Sequence, residues 1–190
     1  GVLTNAGRSV RHDIAKALGV ADEELQFDDM NEKFRTGKID SKEFFTELNS
    51  RYKGDGTLES KLLDNPDFYR REEKIYHLAE ELRSLDIKTS IFSNVYQPSA
   101  DRLRKVGNYE GFDPLILSCE VGYAKPDERF YQRALDLLKL RPEEILLIDD
   151  QDKCLVPARK MGMKVIKSVS TEQVLADAKA LFAKENNMAL

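Results

Sequence analysis

Ile145-Leu146-Leu147-Ile148-Asp149-Asp150 reads as a short apolar strand that stops abruptly at two carboxylates. A continuous apolar run of this length fits a strand buried on both faces, as in parallel sheets. Ligands of open α/β sheets bind beyond the carboxyl ends of the strands, so Asp149 and Asp150 stand where chemistry is expected. Ile87 to Phe92, Leu115 to Leu117 and Lys164 to Ile166 read as three further strands. Between and after them lie helical stripes. One carries Phe130, Ala134, Leu137 and Leu138, a second Leu155, Ala158 and Met161, and the last Val174, Ala178, Leu181 and Phe182. Parallel neighbours need crossover connections, so the alternation predicts an α/β class fold with a Rossmann-like parallel sheet flanked by helices.

Upstream of Ile87 the pattern is helical instead. Asp40-Ser41 open an amphipathic run with Phe44, Phe45 and Leu48 on one side, and Ile75, Leu78, Ala79, Leu82 and Leu85 keep helical spacing. No internal repeat or low-complexity stretch interrupts either part. The expected organisation is a helical insert followed by an α/β core.

Two other strand ends carry functional groups. Ile91-Phe92 run into Ser93-Asn94, and Leu115 to Leu117 lead to Gly122-Tyr123-Ala124-Lys125-Pro126, with Lys125 just before a helix. Taken singly, each has a plain reading: Ser-Asn as a turn or cap, Lys125 as a solvated side chain, Asp149-Asp150 as the cap of the next helix. Taken together on one rim they suit a phosphate and a divalent cation. Mg²⁺ is usually held by one or two carboxylates plus waters and a substrate phosphate, which Asp149 and Asp150 would supply. Lys125 offers a compact positive charge, and Ser93 with nearby backbone N–H groups offers donors.

Composition narrows the alternatives. The chain has 190 residues, 41% hydrophobic and 34% charged, with a formal charge of −4, enough to bury roughly 70% of its unfolded surface. Neither sign forms a block suited to nucleic acid. The apolar runs fall short of the ~18–20 residues that span a bilayer. Cys119 and Cys154 make no disulfide framework and lack the paired spacing of a zinc site, so a reducing, cytoplasmic setting is expected. Gly1 to Ser9 do not have the pattern of a secretory signal. His12 and His77 lie away from every motif, and Cys154, near the rim, reads as a buried or merely adjacent thiol. Gly37-Lys38-Ile39-Asp40 with Glu43 imitates half a calcium loop but brings too few acids. Asp55-Gly56-Thr57-Leu58 reads as a loop. Nothing specifies an oligomeric state.

These motifs resemble the haloacid dehalogenase-like hydrolase superfamily, in particular its phosphatases with an inserted helical cap. Ile91-Phe92-Ser93-Asn94 looks like the second motif, Gly122 to Asp127 with Phe130-Tyr131 the third, and Leu146 to Asp150 with Ala158, Gly162 and Val165-Ile166 the fourth. Phe34-Arg35-Thr36-Gly37-Lys38-Ile39 with Glu43-Phe44 resembles the helix-turn-helix of the cap. The resemblance implies a core of residues 1–4 and 86–190 and a cap of residues 5–85. It implies phosphate binding by Ser93, Asn94 and Lys125, catalytic roles for Ser93 and Lys125, Mg²⁺ on Asp149 and Asp150, and a small phosphorylated metabolite hydrolysed through an aspartyl-phosphate. Gln151 and Cys154 depart from the Ser and Asn common in the fourth motif. Gly1-Val2-Leu3-Thr4-Asn5 looks like the tail of the first motif, which would place the nucleophilic Asp upstream of Gly1. The preceding strand would lie between the strands ending at Ser93 and Asp149, and without it two strand edges would face a gap. The chain as given is therefore expected to bind more than it catalyses. The alternatives are a metal-free 2-haloacid dehalogenase and a non-catalytic phosphate-binding domain. In a full-length protein, Lys125→Ala and Asp149→Asn are each expected to lower phosphatase turnover by orders of magnitude and leave folding intact.

Overall fold

In the computed structural model, residues 2–4, 10–63 and 70–186 are described. Four helices come first: α1 (Val10–Leu18), α2 (Asp28–Arg35), α3 (Ser41–Tyr52) and α4 (Leu58–Leu63). The start of α3 is set by Asp40, whose side chain accepts the Glu43 N–H at 2.8 Å. Phe34, Phe44, Phe45 and Leu48 bury together with Ile14, Leu25 and Leu58 into one cluster of these helices. The Asp55 segment is a loop, as expected. Asp55 accepts from Thr57 N–H at 2.9 Å and pairs with Lys61 in the last turn of α4.

The chain then runs through α5 (Glu73–Ser84), β1 (Ile91–Ser93), α6 (Gln97–Lys105), β2 (Leu115–Leu117) and α7 (Ser118–Val121). It continues with α8 (Glu128–Leu138), β3 (Leu146–Asp149), α9 (Asp152–Lys160), β4 (Lys164–Lys167) and α10 (Thr171–Asn186). All four expected strands form. The first is shorter than its apolar run, because only residues 91 to 93 pair with a neighbour.

Adjacent strand residues point to opposite faces, which shows that helices cover both sides. Ile116 and Leu147 pack with Phe130, Tyr131, Leu155 and Ala158 of α8 and α9. Leu117, next in sequence to Ile116, packs instead with Tyr76 and Ala79 of α5 and Ala100 of α6. Ile75 and Leu78 of α5 join Ile166 and the α10 residues Val174 and Ala178. Thus α5 belongs by its packing with the strands and not with α1–α4.

The strands do not form one continuous sheet. β1 pairs in parallel with β2 and β3 in parallel with β4, giving two separate two-stranded sheets. Between them lies a cavity of about 690 Å³ lined by residues of β1 and β3 and by Val2 and Leu3.

Phe130 is fully buried at the junction of β2, α8 and β3. Phe130→Ala should lower stability by about 3–5 kcal/mol, read as a fall in the urea midpoint. A loss below about 1 kcal/mol would mean that this junction is not the core of the α/β part.

Candidate functional site

Three chain segments meet at the mouth of the cavity. β1 delivers Ser93 and Asn94, and β3 delivers Asp149 and Asp150. The third segment depends on Gly122, the left-handed end of α7 at φ 83°, which turns the chain so that Ala124 and Lys125 come beside β1. Ser93, Asn94, Lys125, Asp149 and Asp150 all line the same cavity. The five residues singled out from three strand ends are thus gathered in one place.

Lys125 is only 7% exposed, which excludes its reading as a solvated side chain. Its Nζ donates to Asp149 Oδ2 at 2.5 Å and to the Phe92 carbonyl at 2.8 Å. Its backbone is held as firmly. Asn94 Oδ1 accepts the Lys125 N–H at 2.8 Å, and Asn94 Nδ2 donates to the Lys125 carbonyl at 2.7 Å. This two-way amide contact leaves Lys125 little freedom along the rim. Asp149 is 5% exposed, and its second oxygen accepts the Gln151 N–H at 2.8 Å at the entry to α9. It therefore fixes the turn before α9 and neutralises Lys125 at once. Asp150 is exposed, and its carbonyl accepts from Lys167 Nζ at 2.7 Å. Ser93 is half-buried at the end of β1.

Each carboxylate oxygen has two lone pairs, so the Asp149 oxygens keep acceptor capacity beyond their bonds to Lys125 and Gln151. With Asp150 next to it, this donor set fits the hard, oxygen-ligated way in which magnesium is held when waters and a phosphate complete the shell. Among the described residues no group of three or more His, Cys, Asp and Glu is placed to hold a metal, so there is no closed protein cage.

Gln151 and Cys154, which depart from the usual fourth motif, have defined places. Gln151 precedes the first turn of α9, and its carbonyl accepts the Cys154 N–H at 2.9 Å. Cys154 is 2% exposed, and its carbonyl accepts the buried Tyr131 hydroxyl at 2.5 Å. Burial, followed by the nearby Asp149 charge, pushes its thiol pKa up. Burial and then Glu120 push Cys119 up to about 11. His12 and His77 are exposed, near Asp22 and Glu80 respectively, and take no part in the site.

Two contributors were missed from the sequence. Ser118 directly follows β2, so the strand-end rule that selected Ser93 also applied to it. Its side chain is fully buried and bonded to the loop after β1. Tyr96, a residue with no motif around it, reaches Asn31 of α2 with its hydroxyl at 2.5 Å.

The buried ion pair changes one expectation. Removing one partner of a buried pair leaves an uncompensated charge, which costs about 3–5 kcal/mol. Lys125→Ala and Asp149→Asn should therefore each lower stability by an amount of that order, measured by urea unfolding, instead of leaving folding intact. A double variant, Lys125→Met with Asp149→Leu, should lose less than the sum of the two. Separately, the raised thiol pKa values keep Cys119 and Cys154 protonated near pH 8. Iodoacetamide should label them in the urea-unfolded chain and scarcely in the native one. Fast native labelling of Cys154 would place its thiol at the open rim.

The family model of the haloacid dehalogenase-like hydrolases matches residues 1–162. Pig bifunctional epoxide hydrolase 2 is 44% identical over 66 residues, 35% of this chain and 12% of that protein. The glyceraldehyde 3-phosphate phosphatase of Methanocaldococcus jannaschii is 28% identical over 89 residues, 46% of this chain and 39% of that protein. The chain thus matches about an eighth of the first relative's length and well under half of the second's. Among solved structures, an enzyme of the same family from Bacteroides thetaiotaomicron, in complex with magnesium and inorganic phosphate, superposes with a TM-score of 0.72. That match has 16% identity and covers 87% of this chain and 88% of the other. Its fold is the fold described above. With the family model extending from the first residue through the turn after α9, this chain belongs to the haloacid dehalogenase-like hydrolase family.

Proposed function

We propose that the site serves a magnesium-dependent phosphatase acting on a small phosphorylated metabolite in the cytoplasm. The observation that carries this reading is the Lys125 ammonium, held between Asp149 and the Phe92 carbonyl at the mouth of the cavity that Ser93 and Asn94 also line. A fixed positive charge beside hydroxyl, amide and backbone donors suits a phosphoryl group, whose charge spreads over its outer oxygens. Asp149 and Asp150 would hold magnesium, which would neutralise charge on the phosphate. A small phosphomonoester as substrate agrees with the name of the archaeal relative.

In this reading α1–α4 form the cap that closes over the substrate. The nucleophile is an aspartate on a strand that precedes Gly1 and occupies the cavity between β1 and β3. Two observations support that position. Both strands present edges to the cavity, and Val2 and Leu3, the first described residues, line it. Carboxylate attack on phosphorus forms an aspartyl-phosphate and expels the alcohol. Water then releases inorganic phosphate and restores the carboxylate. Lys125 holds the phosphoryl oxygens and offsets the repulsion between two anions. One such charge pair is worth roughly 4 kcal/mol at 4 Å and an effective dielectric near 20.

Calorimetric titration of the chain should detect inorganic phosphate binding that strengthens with magnesium. In a protein carrying the upstream residues, phosphomonoesters should release phosphate, and chelation of magnesium should abolish the release. Lys125→Ala, assayed at a temperature where it stays folded, should lower turnover about 10³-fold, the rate equivalent of that charge pair. Halide release from a 2-halo acid without metal would replace this reading with dehalogenation. Phosphate binding without turnover would leave a binding domain.

A further inference from the structure

The last turn of α2 ends in a carbonyl that its own helix cannot satisfy. The final four carbonyls of any α-helix lack intrahelical partners. In α2, Glu32 and Phe34 accept from Thr36 and Gly37, and Lys33 accepts from Lys38. The Arg35 carbonyl instead accepts the hydroxyl of Ser118, at 2.6 Å, across 83 positions of sequence. The same Oγ accepts the Val95 N–H at 2.9 Å, with the Val95 carbonyl 3.2 Å away. Ser118 is fully buried, so neither contact is replaced by water.

The surroundings tighten this junction. Gly37 has φ 69°, and a Cβ built on it would lie 2.1 Å from the Cys119 carbonyl oxygen. Backbone therefore touches backbone where α2 meets α7, and only glycine fits. On the other side, Tyr96 stacks on Phe34 of α2 with ring centroids 4.6 Å apart, and its hydroxyl donates to Asn31. Along the loop after β1, Asn94 is tied to Lys125, Val95 to Ser118 and Tyr96 to α2. The loop that carries Ser93 and Asn94 and the last turn of α2 thus share one hydroxyl.

We propose that Ser118 is a positioning residue that latches α2 to the Ser93–Tyr96 loop, so that docking of the helical unit sets the geometry of the anion cradle. It touches no reacting atom. It acts through Val95, two positions beyond Ser93, and through Arg35 and Asn31 of α2, which line the cavity. The phosphate half of the inference rests on the function proposed above, whereas the coupling of α2 to the loop stands on the contacts alone.

Residue-resolved amide exchange on Ser118→Ala, with inorganic phosphate and magnesium as the ligand probe, tests it. Loss of Val95 protection alone would be a local effect. The latch requires that Thr36 and Lys38, which bond within the last turn of α2, lose protection with it while Leu147 and Ile166, whose amides lie in the ladder of the other sheet, do not. An unsatisfied buried group costs about 1–3 kcal/mol, so exchange should speed up about tenfold or more, and phosphate affinity should fall by a similar factor. Ser118→Thr, which keeps the hydroxyl, should restore both. Gly37→Ala, which pushes the same junction apart from the other side, should reproduce the alanine pattern. Unchanged protection of α2 in Ser118→Ala and Gly37→Ala overturns the latch. So does equal loss in both sheets for the two variants, since that is general destabilisation. A wild-type chain that binds no phosphate overturns the phosphatase reading, and the α2 exchange pattern still decides the latch.

Discussion

One buried ammonium joins the two halves of the strand layer. Lys125 Nζ lies against Asp149 at the end of β3 and against the Phe92 carbonyl in β1, so a single charge spans the cavity between two sheets that share no backbone ladder. A buried charge is tolerated only where it is paired and its hydrogen-bonding capacity is met. Asp149 supplies the pair, and Phe92 takes another of the three protons. The Asn94 amide grips the backbone of Lys125 from both sides. The same few contacts therefore set the spacing of the two half-sheets and the shape of the rim where an anion would sit.

This dual role explains why the site residues sit where ordinary fold stability is also decided. Asp149 holds the turn before α9 through the Gln151 N–H and neutralises Lys125. Tyr131 of α8 sends its hydroxyl to the carbonyl of Cys154 in the first turn of α9. The helix that follows the carboxylate pair is thereby tied to α8 through Tyr131, and the turn that enters it is tied to Asp149. A displacement of β3 relative to α8 would move the carboxylates and the core together.

Strand ends were the most legible feature of the sequence. Apolar runs stopping at Asp149 and Ser93 gave both the parallel α/β layer and its functional edge, because burial on both faces forces a run that only chemistry or a turn interrupts. The extent of β1 was less legible. Hydrophobicity marks burial, while a strand also needs a partner, and the partner of β1 is only three residues long. The ion pair was legible as two candidate residues but not as a pair, since 24 positions separate them and nothing local states which carboxylate faces the lysine. Ser118 stood at a strand end like Ser93, but its role, like that of Tyr96, comes from the meeting of elements distant in sequence, and a lone Ser or Tyr looks the same with or without such a meeting. The packing of α5 was hidden for a related reason: its apolar stripe says that it is buried, not which neighbour buries it.

The cavity bears on how these parts depend on one another. Interior strands of a parallel layer are normally covered on both faces and paired on both edges. Here Phe92, Leu146 and Ile148 are only half-buried, and each belongs to a strand with one edge on the cavity. Two contacts connect the sheets across it. On the rim the bridge is the Lys125 charge. On one face it is α5, which packs Tyr76 and Ala79 against β1 and β2 through one stripe while Ile75 and Leu78 reach β4 and α10 through the adjacent one. A helix that contacts both half-sheets and a charge shared between their ends connect the two. Between them, residues from β1, the turn before α8 and β3 line a single pocket.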